Sequence, residues 1–231
     1  MTPSRMVHQT HYVSNFHDLV STPFCGNMNA ICWNRPLLGD FAEIVQKAQP
    51  EGNMAELGPE QLLDLSLSEQ GQLARAMLIN DLKLLTAHGA SPTLNLIKCY
   101  ERDDAFPFFP TDVYSFHVDR APVEADTFLC TYHGACSELL PNAQALQKVL
   151  VPEIREALRE RYGGLEHGFE AYLSDHFFDL HYQPLPAASP TRLGLGQLCR
   201  LAVHHPQSKV LPCIHRAPVE KPGETRLLLI C

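Results

Sequence analysis

The spacing of apolar positions divides the chain into a first third that reads as mainly helical and a remainder that reads as strands interrupted by helices. Residues 29–33 form a compact apolar run closed by Asn34-Arg35-Pro36, as expected of a buried strand and its turn. A helix is predicted over 37–47, ending before Pro50 and Gly52. A longer one is predicted over 67–88, where Ser66 and Glu69 stand at capping-box spacing and Gly89 and Pro92 stop it. Its stripe of Leu67, Leu73, Ala74, Met77, Leu78, Leu82 and Leu85 asks for a partner surface, most simply the face of a sheet.

From Thr93 the period changes. Strands are predicted over 93–100, 114–119 and 126–133, with an irregular stretch rich in Pro, Phe and Asp over 101–113. A helical insertion is predicted over 143–181, with Asn142 capping its first helix, Pro152 opening a second and Gly163-Gly164 ending that one. Phe169, Tyr172, Leu173, Phe177 and Leu180 give the stripe of a third. Strands return over 193–203, 209–215 and 225–230. There is no internal repeat and no low-complexity linker, so one domain is expected over 1–231. Residues 1–92 would be helical support, and 93–231 a β core carrying the insertion. The expected fold class is α+β, a helix-supported jelly roll.

Composition narrows the partners. The 231 residues are 45% apolar and 19% charged, which is globular. With 26 acidic against 18 basic side chains the net charge is −8, and no run of Lys and Arg occurs. Both features argue against a nucleic-acid partner. Residues 1–15 are polar without an apolar secretory core, and no apolar run approaches a membrane span, so no membrane partner and a cytoplasmic location are expected. Eight cysteines, none in a Cys-x-x-Cys pair, are expected to be reduced thiols. Twelve histidines are a reason to look for metal ligands.

Three places carry chemistry together. In His117-Val118-Asp119 an imidazole and a carboxylate project to one face of a strand. His215 ends an apolar strand, and Arg226 opens the next after ten intervening residues, as if across a hairpin. Two histidines and one carboxylate on a rigid β scaffold make the facial triad of non-haem Fe(II) oxygenases, which leaves coordination positions open. A guanidinium pairs bidentately with a carboxylate, so Arg226 suits the far end of a dicarboxylic oxo acid.

On these residues the chain resembles the Fe(II)/2-oxoglutarate-dependent oxygenases, which share a double-stranded β-helix core; the resemblance covers roughly 93–231. It implies His117, Asp119 and His215 as iron ligands and Arg226 as the anchor of 2-oxoglutarate. It further implies O2 as co-reactant and hydroxylation of a small molecule or a peptide side chain as the outcome. More closely, Ala30-Ile31-Cys32-Trp33-Asn34-Arg35-Pro36, Phe116-His117-Val118-Asp119, Thr131-Tyr132-His133-Gly134 and His215-Arg216-Ala217-Pro218 are similar to an uncharacterised bacterial domain-of-unknown-function family, which names no substrate. One departure stands out. Many members carry a Ser two positions after the anchoring Arg, where this chain has Leu228. Tyr132, then Asn95, are the candidates for the second hydrogen bond to the cosubstrate.

Other features have plainer readings. His176 falls on an apolar stripe and reads as a core histidine rather than half of a second metal pair with His181, and His204-His205 reads as a turn. Phe106 to Phe109 either line a pocket or pack, and Arg120 is either a substrate contact or solvated. A cupin-like dioxygenase without 2-oxoglutarate, or a non-catalytic metal-binding protein, would use the same ligands. Oligomeric state is not legible.

Overall fold

The computed structural model describes residues 9–49, 52–103 and 105–231. In chain order it runs β1 (Thr10–Val13), α1 (Phe16–Ser21), β2 (Ala30–Trp33), α2 (Phe41–Ala48), β3 (Met54–Glu56), α3 (Pro59–Asp64), α4 (Glu69–His88), β4 (Thr93–Ile97), β5 (Phe116–His117), β6 (Asp126–His133), β7 (Glu138–Leu140), β8 (Ala145–Gln147), α5 (Pro152–Tyr162), α6 (Phe169–Asp175), β9 (His181–Pro184), β10 (Thr191–Arg192), β11 (Leu198–Ala202), β12 (Ile214–Arg216) and β13 (Arg226–Ile230). Helices and strands mix as the α+β class predicts. The strands form a seven-stranded sheet, β1-β2-β11-β6-β13-β4-β3, and a six-stranded sheet, β10-β7-β12-β5-β9-β8.

Side-chain parity sorts the layers. Phe128, Cys130 and Tyr132 of β6, with Leu227 and Leu229 of β13, face the helices and pack on Leu19, Phe41, Ile44, Leu62, Ala74, Leu78 and Leu85. The alternate residues, Leu129 and Leu228, face the second sheet and meet Leu139 and Cys213. The six-stranded sheet turns Phe116, Val118, Leu140 and Ile214 to its other side. Strands such as β6 and β11 are thus buried on both faces, and their sequences read as continuous apolar runs rather than alternations.

Several expected boundaries shift for local reasons. Ser68, not Ser66, caps α4, its hydroxyl accepting from the Gly71 amide, and Gly89 ends the helix in the left-handed conformation at φ 97°. The α4 stripe is also narrower than predicted: Leu73 is exposed, whereas Asp81 is fully buried on it. The second helix begins at Phe41, capped by Asp40; Pro50, expected to stop it, lies outside the described residues. The region read as helical support also contributes β1, β2 and β3 to the seven-stranded sheet. Within 143–181, Asn142 enters a 3-10 turn followed by β8 instead of capping a helix. Pro152 does open α5, and Gly163 ends it at φ 60°. The third helix is only seven residues long, because the chain turns left-handed at Phe177.

Two expectations are overturned. His215 and Arg226 do not face each other across a hairpin, because β12 pairs with β5 and β7 while β13 pairs with β4 and β6. The segment between them crosses from one sheet to the other. Nor are all cysteines reduced. Cys32 and Cys199, directly opposed across β2 and β11, form a disulfide, and the other six are free. No helix among the described residues is long and apolar enough to cross a membrane.

Candidate metal centre

His117 and His215 are directly opposite residues of the antiparallel pair β5–β12, and their ring centroids lie 4.6 Å apart. Each has its Nδ1 against a main-chain carbonyl two residues back, Ser115 O at 2.8 Å and Cys213 O at 3.2 Å. A carbonyl only accepts, so each Nδ1 carries a proton, and in the neutral ring Nε2 keeps its lone pair. Outer contacts of this kind fix the tautomer and the ring plane of metal-ligating histidines. Asp119 lies two residues beyond His117 on the same face, and its Oδ2 is 3.7 Å from His215 Nε2. Thr127 Oγ1, reaching from β6 of the other sheet, donates to Asp119 Oδ2. The Asp119 carbonyl accepts from the His204 amide at 2.8 Å, which ties down the main chain just past β5.

One ligand atom from each of His117, Asp119 and His215 lies within 4.8 Å of the others, close enough for a single metal ion. The electrostatics agree with a neutral His117 imidazole beside an anion. Burial, and then the neighbouring His215, push the His117 imidazole down to about 4, against the opposing pull of the Ser115 carbonyl, Asp119 and Asp112. For Asp119 burial acts upward, but His215, the Thr127 hydrogen bond and His117 together hold the carboxyl below its usual range. Two aprotic nitrogens and a carboxylate are a donor set that suits Fe(II), Zn(II) and related ions.

Arg226 opens β13 on the face directed at the second sheet and is 1% exposed. Its Nη2 donates to Thr131 Oγ1 at 3.0 Å and Ser137 Oγ at 2.8 Å, and its Nη1 reaches the Tyr100 hydroxyl at 3.5 Å. Its Nε has no partner, and among the described residues no carboxylate forms an ion pair with it. Burial lowers its proton affinity. The main chain at Arg226 is packed against Gly134, which has φ 81° and where a Cβ would stand 3.0 Å from Arg226 Cα.

The two candidates for a second cosubstrate contact fare differently. Tyr132 belongs to the opposite face of β6. It stacks on Phe41, and its hydroxyl donates to Asp81 at 2.6 Å within the helix layer. It is therefore turned away from Arg226. Asn95 stands opposite Leu228 and shares the Arg226 face by parity, but its amide donates to Thr93 Oγ1 at 3.0 Å. The hydroxyls that do meet the guanidinium are those of Thr131, the neighbour of Tyr132, and Ser137.

His181 is the site residue that sequence reasoning missed. It is paired with His117 across β5–β9, is 4% exposed, and bounds the same cavity as His117 and Asp119. Burial first, then His117 and Lys148, push its imidazole down to about 3. Its partner in the discarded metal pair, His176, is not in the core: it is exposed at the end of α6, with Nδ1 2.9 Å from the Tyr172 carbonyl. Arg120 is neither free nor purely solvated, donating to Ser174 and Asp179 of the insertion. Phe106 and Phe109 pack on Phe178 in the core of that insertion. No protein-family model matches the chain, and no curated protein matches it.

Proposed function

We propose that the chain is an Fe(II)- and 2-oxoglutarate-dependent oxygenase on a jelly-roll core, hydroxylating a small molecule or a peptide side chain. The observation that carries this reading is a fully buried guanidinium with no carboxylate partner, on the inner face of one sheet, in a molecule that also gathers two histidines and an aspartate between its sheets. An unpaired buried charge is costly, and a dicarboxylate cosubstrate supplies the missing anion. With 2-oxoglutarate and O2, iron at the triad would supply the oxidation that hydroxylates a C–H bond while the oxo acid leaves as succinate and CO2.

The chain's own part is positioning. The Ser115 and Cys213 carbonyls orient the two imidazoles, and Thr127 orients the carboxylate. Thr131 and Ser137 hold the Arg226 guanidinium in one plane and stand where the missing Ser after the anchor would otherwise be needed. Leu129, Leu139, Cys213 and Leu228 keep water from the space between the sheets.

A dioxygenase that dispenses with the oxo acid is favoured by one observation: Arg226 Nη2 already has two hydroxyl partners. An anaerobic titration with Fe(II) and then 2-oxoglutarate, followed by visible absorbance, separates the two. A charge-transfer band that needs both additions, and is lost in Arg226→Met, is expected. Iron binding without the band, joined to O2 uptake independent of 2-oxoglutarate, would transfer the function to the second reading.

A further inference from the structure

The cavity beside the candidate metal centre, about 260 Å3, is bounded among others by Asp112, Arg120, Phe177 and His181, which the proposed reaction does not use. Asp112 accepts only from main-chain amides, Tyr114 N at 3.1 Å and Asp103 N at 3.3 Å. No cation among the described residues pairs with it. Lys148 feels the Asp112 charge but gives its ammonium to Ser115 Oγ at 2.7 Å, and Arg120 is engaged by Ser174 and Asp179. His181 is 4% exposed, and its Nδ1 has no hydrogen-bond partner. Phe177 is 58% exposed at φ 60°, ψ 12°, a left-handed conformation that strongly disfavours a bulky side chain. Its neighbour Phe178 is fully buried. The chain thus keeps a strained, water-facing ring on a cavity whose wall holds a carboxylate that is in no ion pair among the described residues.

We propose that the substrate of this site carries a positively charged nitrogen on an apolar stem, held by the Asp112 carboxylate and the face of Phe177, with the unpartnered ring nitrogen of His181 accepting the inner hydrogen bond. A cation over an aromatic face and beside a carboxylate gains from both, most of all where water is partly excluded. The net charge of −8 favours the approach of cations. The cavity is below the usual range for drug-sized ligands, so it suits one head group and a few stem atoms rather than a whole large molecule. As a substrate site the cavity rests on the oxygenase reading, whereas the binding of a cation there needs no iron.

The test is a calorimetric titration of the full chain with benzylamine, benzyl alcohol and benzoate, which share a ring and differ in charge. It is run on the wild type and on Asp119→Asn, which removes the triad carboxylate, so the result does not depend on whether iron binds. Benzylamine is expected to bind best in both. Asp112→Asn should weaken it about tenfold while leaving benzyl alcohol unchanged. Phe177→Gly, which fits the left-handed conformation and whose folding is checked by its urea midpoint, should weaken it about threefold. Tighter binding of benzoate than of benzylamine, or benzylamine binding indifferent to both Asp112→Asn and Phe177→Gly, would overturn the proposal even if the iron and 2-oxoglutarate band is present. Conversely, cation binding without that band would leave the pocket assignment standing and remove the oxygenase. Nα-acetyl-lysine methylamide as a fourth probe separates the sources: binding tighter than benzylamine assigns the ammonium to a peptide side chain, weaker binding to a free amine.

Discussion

Two arginines sit on opposite faces of the seven-stranded sheet, Arg35 nearly buried and Arg226 fully so, and they are treated differently. On the helix side, Arg35 meets Asp81 with both terminal nitrogens, Tyr132 donates to the same carboxylate, and the Arg35 guanidinium lies 4.2 Å from the Trp33 ring centre. Every charge there is answered from within the chain. On the inner side, Arg226 meets only hydroxyls. A closed ionic network of this sort holds α4 to the sheet, whereas an open one of similar burial is a place for something else to complete.

The largest expected effect lies on the closed side. Asp81→Asn leaves the Arg35 charge buried without its partner and should cost about 3–5 kcal/mol, read as a lowered urea midpoint. A cost no greater than that of a surface substitution would mean the two arginines are not different in kind. Next is the metal. Zn(II) at a hundredfold its dissociation constant should stabilise the protein by about 2.7 kcal/mol in thermal unfolding, and His215→Ala should abolish the gain.

A smaller contrast comes with pH in the metal-free protein. His117 and His181 titrate at about 4 and about 3 when folded, below the usual histidine value near 6.5. The unfolded chain therefore binds more protons between these limits, so stability falls as pH drops from about 6.5 toward the folded values. Asp119, also lowered, adds a loss of the same sign at still lower pH. His181→Gln should therefore flatten the acid limb, an effect on the order of 2 kcal/mol. An acid limb unchanged by His181→Gln would assign it to groups elsewhere. The smallest effect belongs to Arg226→Met. It removes a buried charge that is in no ion pair among the described residues and should leave the unfolding free energy within about 1 kcal/mol of the wild type or raise it, while 2-oxoglutarate binding is lost. Destabilisation as large as that of Asp81→Asn would make Arg226 a structural residue.

The same two regions explain what could be read from the chain in advance. The convergence of His117 and Asp119 was legible because two-residue spacing on an extended segment is a rule of the backbone itself. That His215 joins them followed from its place at the end of an apolar run. Tyr132 was misread because β6 is buried on both faces, so its composition gave no sign of which parity looks inward. Thr131 and Tyr132 differ by one position and belong to different layers. The supposed hairpin between His215 and Arg226 failed for another reason: the length of a connection does not say whether it stays within a sheet. His181 carried a usable signal, a histidine opening an extended segment just after the aromatic insertion. Its neighbourhood, however, depends on pairing with the two-residue strand β5, which has too few residues to show a pattern. The Cys32–Cys199 pair needed the β2–β11 register, which couples positions 167 apart.

The place of β13 has a consequence for how the molecule is made. This strand, the last in chain order among those described, lies between β4 and β6 in the middle of the seven-stranded sheet. A chain emerging from the ribosome would hold its two neighbours ready, each with an unpaired edge toward the gap, until the closing segment arrives. The same segment brings Arg226, and the one before it His215. The chain is thus at its most adhesive just before β13 pairs, when it also still lacks the side chains that would meet a ligand.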